Sequence, residues 1–105
     1  MTDLRIVFMT APTEDVAVSI VRALVEERYV ACGNIIPRIR SIYRWQDAVQ
    51  DEAEVLVLMK CRPDGFEALR RRIVELHPYD VPEIVGVRAD RVHPDYARWV
   101  MDQTD

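Results

Sequence analysis

Seven residues, His77-Pro78-Tyr79-Asp80-Val81-Pro82-Glu83, gather an imidazole, a phenol and two carboxylates between two prolines. An imidazole binds metals and moves protons near neutral pH. A carboxylate at the entrance to an apolar strand has its charge state set by burial and by any neighbouring cation. Pro78 cannot continue a helix and pushes His77 out of helical geometry; Pro82 does the same to Val81. The segment is therefore stiff, and sites are commonly built on loops that a rigid scaffold positions. The same prolines also serve simply to stop a helix and start a strand. His77 then becomes a helix-terminal imidazole bonded to the last carbonyls.

Other residues extend the candidate chemistry. Lys60 is the natural cation for Glu83, either as a structural ion pair or as part of a ligand-reading cleft. Cys32 and Cys61 lie far apart in apolar surroundings, which fits buried core thiols and neither a disulfide framework nor a metal knuckle. Asp90, His93 and Asp95 resemble a metal constellation, although His93-Pro94-Asp95 reads more simply as a helix start. Trp45 and Tyr79 combine large apolar area with a polar tip, which suits a subunit boundary. Arg38, Arg40 and Arg44 face Asp47, Asp51, Glu52 and Glu54 across a turn, the pattern of cross-strand charge pairs.

The chain has 105 residues, half of them apolar and 30% charged, with a net charge of −4. These values predict one globular domain spanning 1–105 and argue against nucleic-acid binding, which needs a basic footprint. The opening has no signal-peptide pattern and no apolar run is long enough to span a membrane, so the expected location is cytoplasmic, with no membrane partner. Gly-rich phosphate loops and nucleophile elbows are absent from the sequence, and the expectation is a protein that is not an enzyme.

The elements that must position these groups follow from periodicity. Residues 4–10 read as a buried strand. Thr13 is a plausible N-cap for a helix carrying Val16, Ile20, Ala23 and Leu24 at helical spacing. A long strand runs from Val30 to Trp45 with a bulge or edge at Pro37. Gln46-Asp47-Ala48 turns the chain, and a third strand covers 49–61. Asp64 and Glu67 resemble a capping box for a helix that buries Phe66, Leu69, Ile73 and Leu76. A strand over 84–87 and a short helix with Pro94 at its first position complete the chain. The order predicts an α+β ferredoxin-like βαββαβ fold with a long hairpin between the second and third strands and a short C-terminal helix.

That hairpin is too long for its domain. Sixteen residues from Val30 to Trp45 span roughly 50 Å at about 3.3 Å each, against a diameter of about 33 Å for a compact domain of this size. The overhang carries Ile39, Ile42, Tyr43, Trp45 and Val49, and the helix-free face of the sheet is expected to expose Val7 and Val57. Such surface predicts an obligate homo-oligomer. The alternative is a sharp bend at Pro37 that folds the hairpin back.

Ala31-Cys32-Gly33-Asn34-Ile35-Ile36-Pro37, Ser41-Ile42-Tyr43-Arg44-Trp45 and Glu75-Leu76-His77-Pro78-Tyr79-Asp80-Val81-Pro82-Glu83 strongly resemble the CutA family of divalent-cation tolerance proteins, as do Met9-Thr10-Ala11-Pro12 and Pro94-Asp95-Tyr96-Ala97-Arg98-Trp99. The resemblance covers nearly the whole chain. It implies a tight homotrimer with interlocking hairpins, an architecture similar to the PII signalling proteins, and binding of copper or another divalent metal in some members. Some metal-binding members carry a cysteine at the position of Met9 and a histidine pair at Leu76-His77. His77 and Met9 are thus the metal candidates here, and a thioether suits Cu(I) but is a poor ligand for Cu(II). A small ligand is the other expected occupant, in an intersubunit cleft lined by Cys32, Asn34, Lys60, His77, Tyr79 and Glu83. Two further readings stay open: a protein-assembly module without ligand, and a small isomerase using His77 and Glu83.

Overall fold

The structure, a computed structural model, describes residues 3–105. Its elements are β1 (Arg5–Ala11), α1 (Glu14–Glu26), β2 (Cys32–Trp45), β3 (Ala48–Cys61), α2 (Phe66–Leu76), β4 (Ile84–Arg88) and α3 (Pro94–Gln103). The strands form one antiparallel sheet in the order β2-β3-β1-β4. This is the α+β ferredoxin-like arrangement expected from the sequence.

Local chemistry explains the boundaries. Thr13 caps α1, its hydroxyl accepting from the Val16 N–H at 3.2 Å, with Glu14 and Asp15 in the first turn where the helix dipole favours acids. The expected box at α2 does not form. Gly65 is the N-cap and gives no side-chain bond, Asp64 turns back to Arg62 at 3.5 Å, and Glu67 pairs with Arg70 at 3.3 Å. The carboxylate that the box needed lies one residue before the cap position. At α3 the N-cap is His93 and Pro94 opens the helix.

Alternation along the strands sorts the two faces of the sheet. Val7, Met9, Ala11, Val55, Val57, Met59 and Cys61 point to the helices and form the core with Ala17, Ile20, Val21 and Leu24 of α1 and Leu69 and Ile73 of α2. Two glycines allow this approach. A Cβ on Gly33 would lie 2.6 Å from Val21 Cγ1, and one on Gly86 would lie 2.8 Å from the Phe66 ring. Val7 and Val57 are fully buried, contrary to expectation. The strands are one step out of phase with that reading: the face opposite carries Ile6, Phe8, Leu56, Leu58, Val85 and Val87 instead. Of these, Val85 and Val87 are exposed and the rest half-buried.

The hairpin does not fold back at Pro37. Pairing continues from Cys32↔Lys60 to Trp45↔Ala48, with one register shift between Ile36 and Ile39. Ile36 pairs with Leu56 and Ile39 with Glu54, so β2 spends three steps where β3 spends two. That single extra residue, at Pro37-Arg38, is a bulge, and it places odd-numbered residues of the outer β2 on the face that even-numbered ones occupy nearer the core. Gln46 and Asp47 close the hairpin, both with positive φ (50° and 64°), the geometry of a two-residue turn between right-twisted strands. The molecule measures 44 × 26 × 23 Å, and its long axis matches the roughly 46 Å that 14 strand residues span.

Candidate functional site

The His77–Glu83 segment crosses from α2 to β4 and docks on the sheet through His77. Pro78 ends the helix, and His77 itself takes extended φ/ψ as the C-cap. Its Nε2–H donates to the Thr10 carbonyl of β1 at 2.7 Å, and the Tyr79 N–H donates to Nδ1 at 3.1 Å. Both ring nitrogens are therefore engaged, and the ring is buried. The imidazole bonds a strand carbonyl, not the helix carbonyls expected of a simple terminal histidine.

Docking swings Tyr79 over the root of the hairpin. Its ring stacks on His77 at 4.8 Å, tilted by 51°, and its hydroxyl donates to Glu54 Oε2 at 2.8 Å. Partial burial pushes the Tyr79 hydroxyl well above the usual phenol range, and the Glu54 carboxylate adds to the shift. Further along the ribbon Tyr43 donates to Glu52 Oε1 at 2.8 Å, which raises its pKa in the same sense. Between these groups opens a cleft of about 790 Å³. Thr10, Tyr43, Trp45, Glu54, Tyr79 and Glu83 are among its walls.

Within one chain, the residues expected to line an intersubunit cleft fall into two groups. Tyr79 and Glu83 line the cleft at the hairpin root. Cys32, Asn34 and Lys60 lie toward the other end of the sheet, where Lys60 Nζ donates to Asn34 Oδ1 and Cys32 Sγ lies 3.4 Å from Tyr96 Oη of α3. Burial, reinforced by the bond to Cys32, pushes the Tyr96 phenol up to about 12. The expected Lys60–Glu83 pair does not form within the chain. Lys60 sits on the rung of Ile6 and Val87, while Glu83 precedes Ile84 on the rung of Met9 and Val57. The two are four rungs apart, about 13 Å at about 3.3 Å per residue.

A resident metal does not fit the residues proposed for it. Met9 is fully buried in the core, and His77 has no free nitrogen. Among the described residues no three His, Cys, Asp or Glu side chains converge as a metal site, including Asp90, His93 and Asp95.

Sequence reading missed Tyr43, Glu54 and Thr10 as cleft residues. The one available signal was Glu52 and Glu54, acids alternating into a strand that is otherwise apolar toward Cys61.

Comparison with known proteins places this geometry. Residues 5–103 match the family described as CutA1 divalent ion tolerance protein. The chain belongs to the CutA family. It is 44% identical over 100 residues to the divalent-cation tolerance protein CutA of Thermus thermophilus, covering 95% of this chain and 97% of that one. It is 39% identical over 98 residues to protein CutA of Mus musculus, of which it spans 55%. Among solved structures, the Thermus thermophilus divalent cation tolerance protein superimposes with a TM-score of 0.93 at 43% identity, covering 97% of this chain and 99% of that one. CutA1 from Oryza sativa does so with 0.94 at 30% identity, over 99% and 95%. The family is described by ion tolerance and not by a catalysed reaction.

Proposed function

We propose that this CutA-family chain acts as a cytoplasmic, non-enzymatic homotrimer that holds a small ligand in clefts walled by its hairpins, with a PII-like signalling architecture. The observation that carries this reading is the hairpin tip. Ile42 and Val49 are each 64% exposed on one face of the ribbon, while Trp45 and Tyr43 are about two-fifths exposed on the other. A fold-back would cover one face only; a neighbour beside the ribbon borders both, packing on Ile42 and Val49 and closing the cleft at the edge of Tyr43 and Trp45. Exposed ribbon and exposed sheet face are different patches, so the contact is head-to-tail, and such contacts form rings where the rotation closes. The ring of three follows from the family resemblance. A small ligand is favoured over copper because neither Met9 nor His77 is available as a ligand.

Light scattering on the purified protein tests the assembly. The expected mass is three times the 12.2 kDa chain. Ile42→Asp combined with Val49→Asp should give monomer or aggregate, because each places a charge where a neighbour must bury apolar surface. A monodisperse wild-type monomer at micromolar concentration refutes the assembly.

A further inference from the structure

The hairpin-root cleft contains a carboxylate that is buried without a counter-charge. Glu54 is only 8% exposed. Its Oε2 accepts from Tyr79, and among the described residues it forms no ion pair. Its Oε1 has no hydrogen-bond partner and is not sealed off, so it opens onto the cleft that Glu54 lines. Arg40 is the only cation among the described lining residues, and Asp51 holds it at 2.7 and 2.8 Å through both oxygens. Asp80 and Glu83 add two more carboxylates to the wall. The cleft is therefore anionic.

Its remaining walls are aromatic. Tyr43, Trp45 and Tyr79 all line the same space. Aromatic faces attract cations through their quadrupole, most strongly where water is excluded. A buried carboxylate is costly to keep charged unless a cation or several donors meet it. The volume of about 790 Å³ falls within the usual range for small-molecule sites. An inorganic divalent ion needs several ligands converging on one point, and among the described residues no three His, Cys, Asp or Glu side chains do so. A cation carried on a carbon skeleton needs only one carboxylate for its head and apolar faces for its body.

We propose that this cleft binds an organic cation, a primary ammonium or guanidinium compound, with Glu54 as its counter-charge and Tyr43, Trp45 and Tyr79 as its walls. This deepens the reading of the cleft as a small-ligand site and names the class of ligand.

Calorimetric titration of the native assembly tests it, with n-butylammonium and methylguanidinium against n-butanol and butyrate as neutral and anionic counterparts. Both cations should bind, and n-butanol and butyrate should not. Glu54→Gln keeps an acceptor for the Tyr79 hydroxyl but loses the charge; it should bind the cations roughly ten- to a hundred-fold more weakly, the worth of a hydrogen bond to a charged group. Binding of butanol or butyrate as tight as that of the cations overturns the cation inference and leaves the cleft a ligand site. No binding of any probe overturns both, including the case where a neighbour's side chain fills the cleft. Equal cation binding by Glu54→Gln overturns the assignment to Glu54. If that variant fails to fold, the comparison of charged and uncharged probes on wild type decides alone.

Discussion

Cys61 and His77 show how burial sets the chemistry of single groups. Cys61 is fully buried at the end of β3, and desolvation pushes its thiol up to about 11 from the usual 9.0, with Asp64 adding to the rise and Arg5 opposing it. A raised thiol pKa favours the folded state fully below pH 9.0; the contribution falls away as pH rises through about 11. At pH 8 the native thiolate fraction drops about a hundred-fold with that shift, and alkylation of Cys61 should slow at least as much. Mass spectrometry after brief iodoacetamide treatment checks this: Cys61 should be modified only once the protein is unfolded, and equal labelling in both states contradicts it. His77 was legible as a special residue because two prolines frame its segment. Its partner was not, since nothing in a sequence shows that residue 77 will meet the carbonyl of residue 10. Tyr79 and Glu54, 25 positions apart, were hidden for the same reason.

At the scale of elements, the sequence showed order and periodicity but not phase. Seven elements in the right sequence, the Thr13 cap, the turn at Gln46-Asp47 and an irregularity at Pro37 were all readable from residue types. Two consecutive apolar residues leave a strand's facing undetermined, which is why Val7 and Val57 proved to be core and Ile6 and Phe8 half-exposed. The cap at α2 failed because Gly65, not Asp64, takes the N-cap position, a one-residue shift that the sequence pattern did not show. The packing of α1 on β2 supports a direct test. Gly33→Ala would bring a methyl to 2.6 Å from Val21 Cγ1 and 3.4 Å from Met59 Cγ, in a sheet that cannot move away without disturbing the core. The expected cost is about 1–3 kcal/mol by chemical denaturation, the usual range for overpacking. Val21→Ala should relieve part of it in the double variant, because the two side chains contend for one space. Additive losses would show that the strain lies elsewhere.

For the molecule as a whole, the elongated shape is the dominant fact. An axis of 44 Å against 26 and 23 Å leaves a ribbon projecting beyond its own core, and this was deducible from strand length alone. What the ribbon offers to its surroundings was not deducible, because it depends on the shift between Ile36 and Ile39. Removing Arg38 would give β2 the same number of steps as β3, keeping Ile39 opposite Glu54 and every facing from Ile39 to Trp45 but removing the bend and extra twist that the bulge imposes on the ribbon. Tyr43 and Trp45 would keep their side of the ribbon but swing with its tip relative to the root of the cleft. Arg38→Ala, which keeps the count, should assemble as wild type does, whereas the one-residue deletion should lose assembly by light scattering. Retained assembly in the deletion would show that the ribbon does not need the bend. Spacing at this point is thus inherited more strictly than identity: the side chain at 38 is free to drift, but the length of the chain there is not, an inversion of the tolerance to insertion and deletion that surface segments normally enjoy.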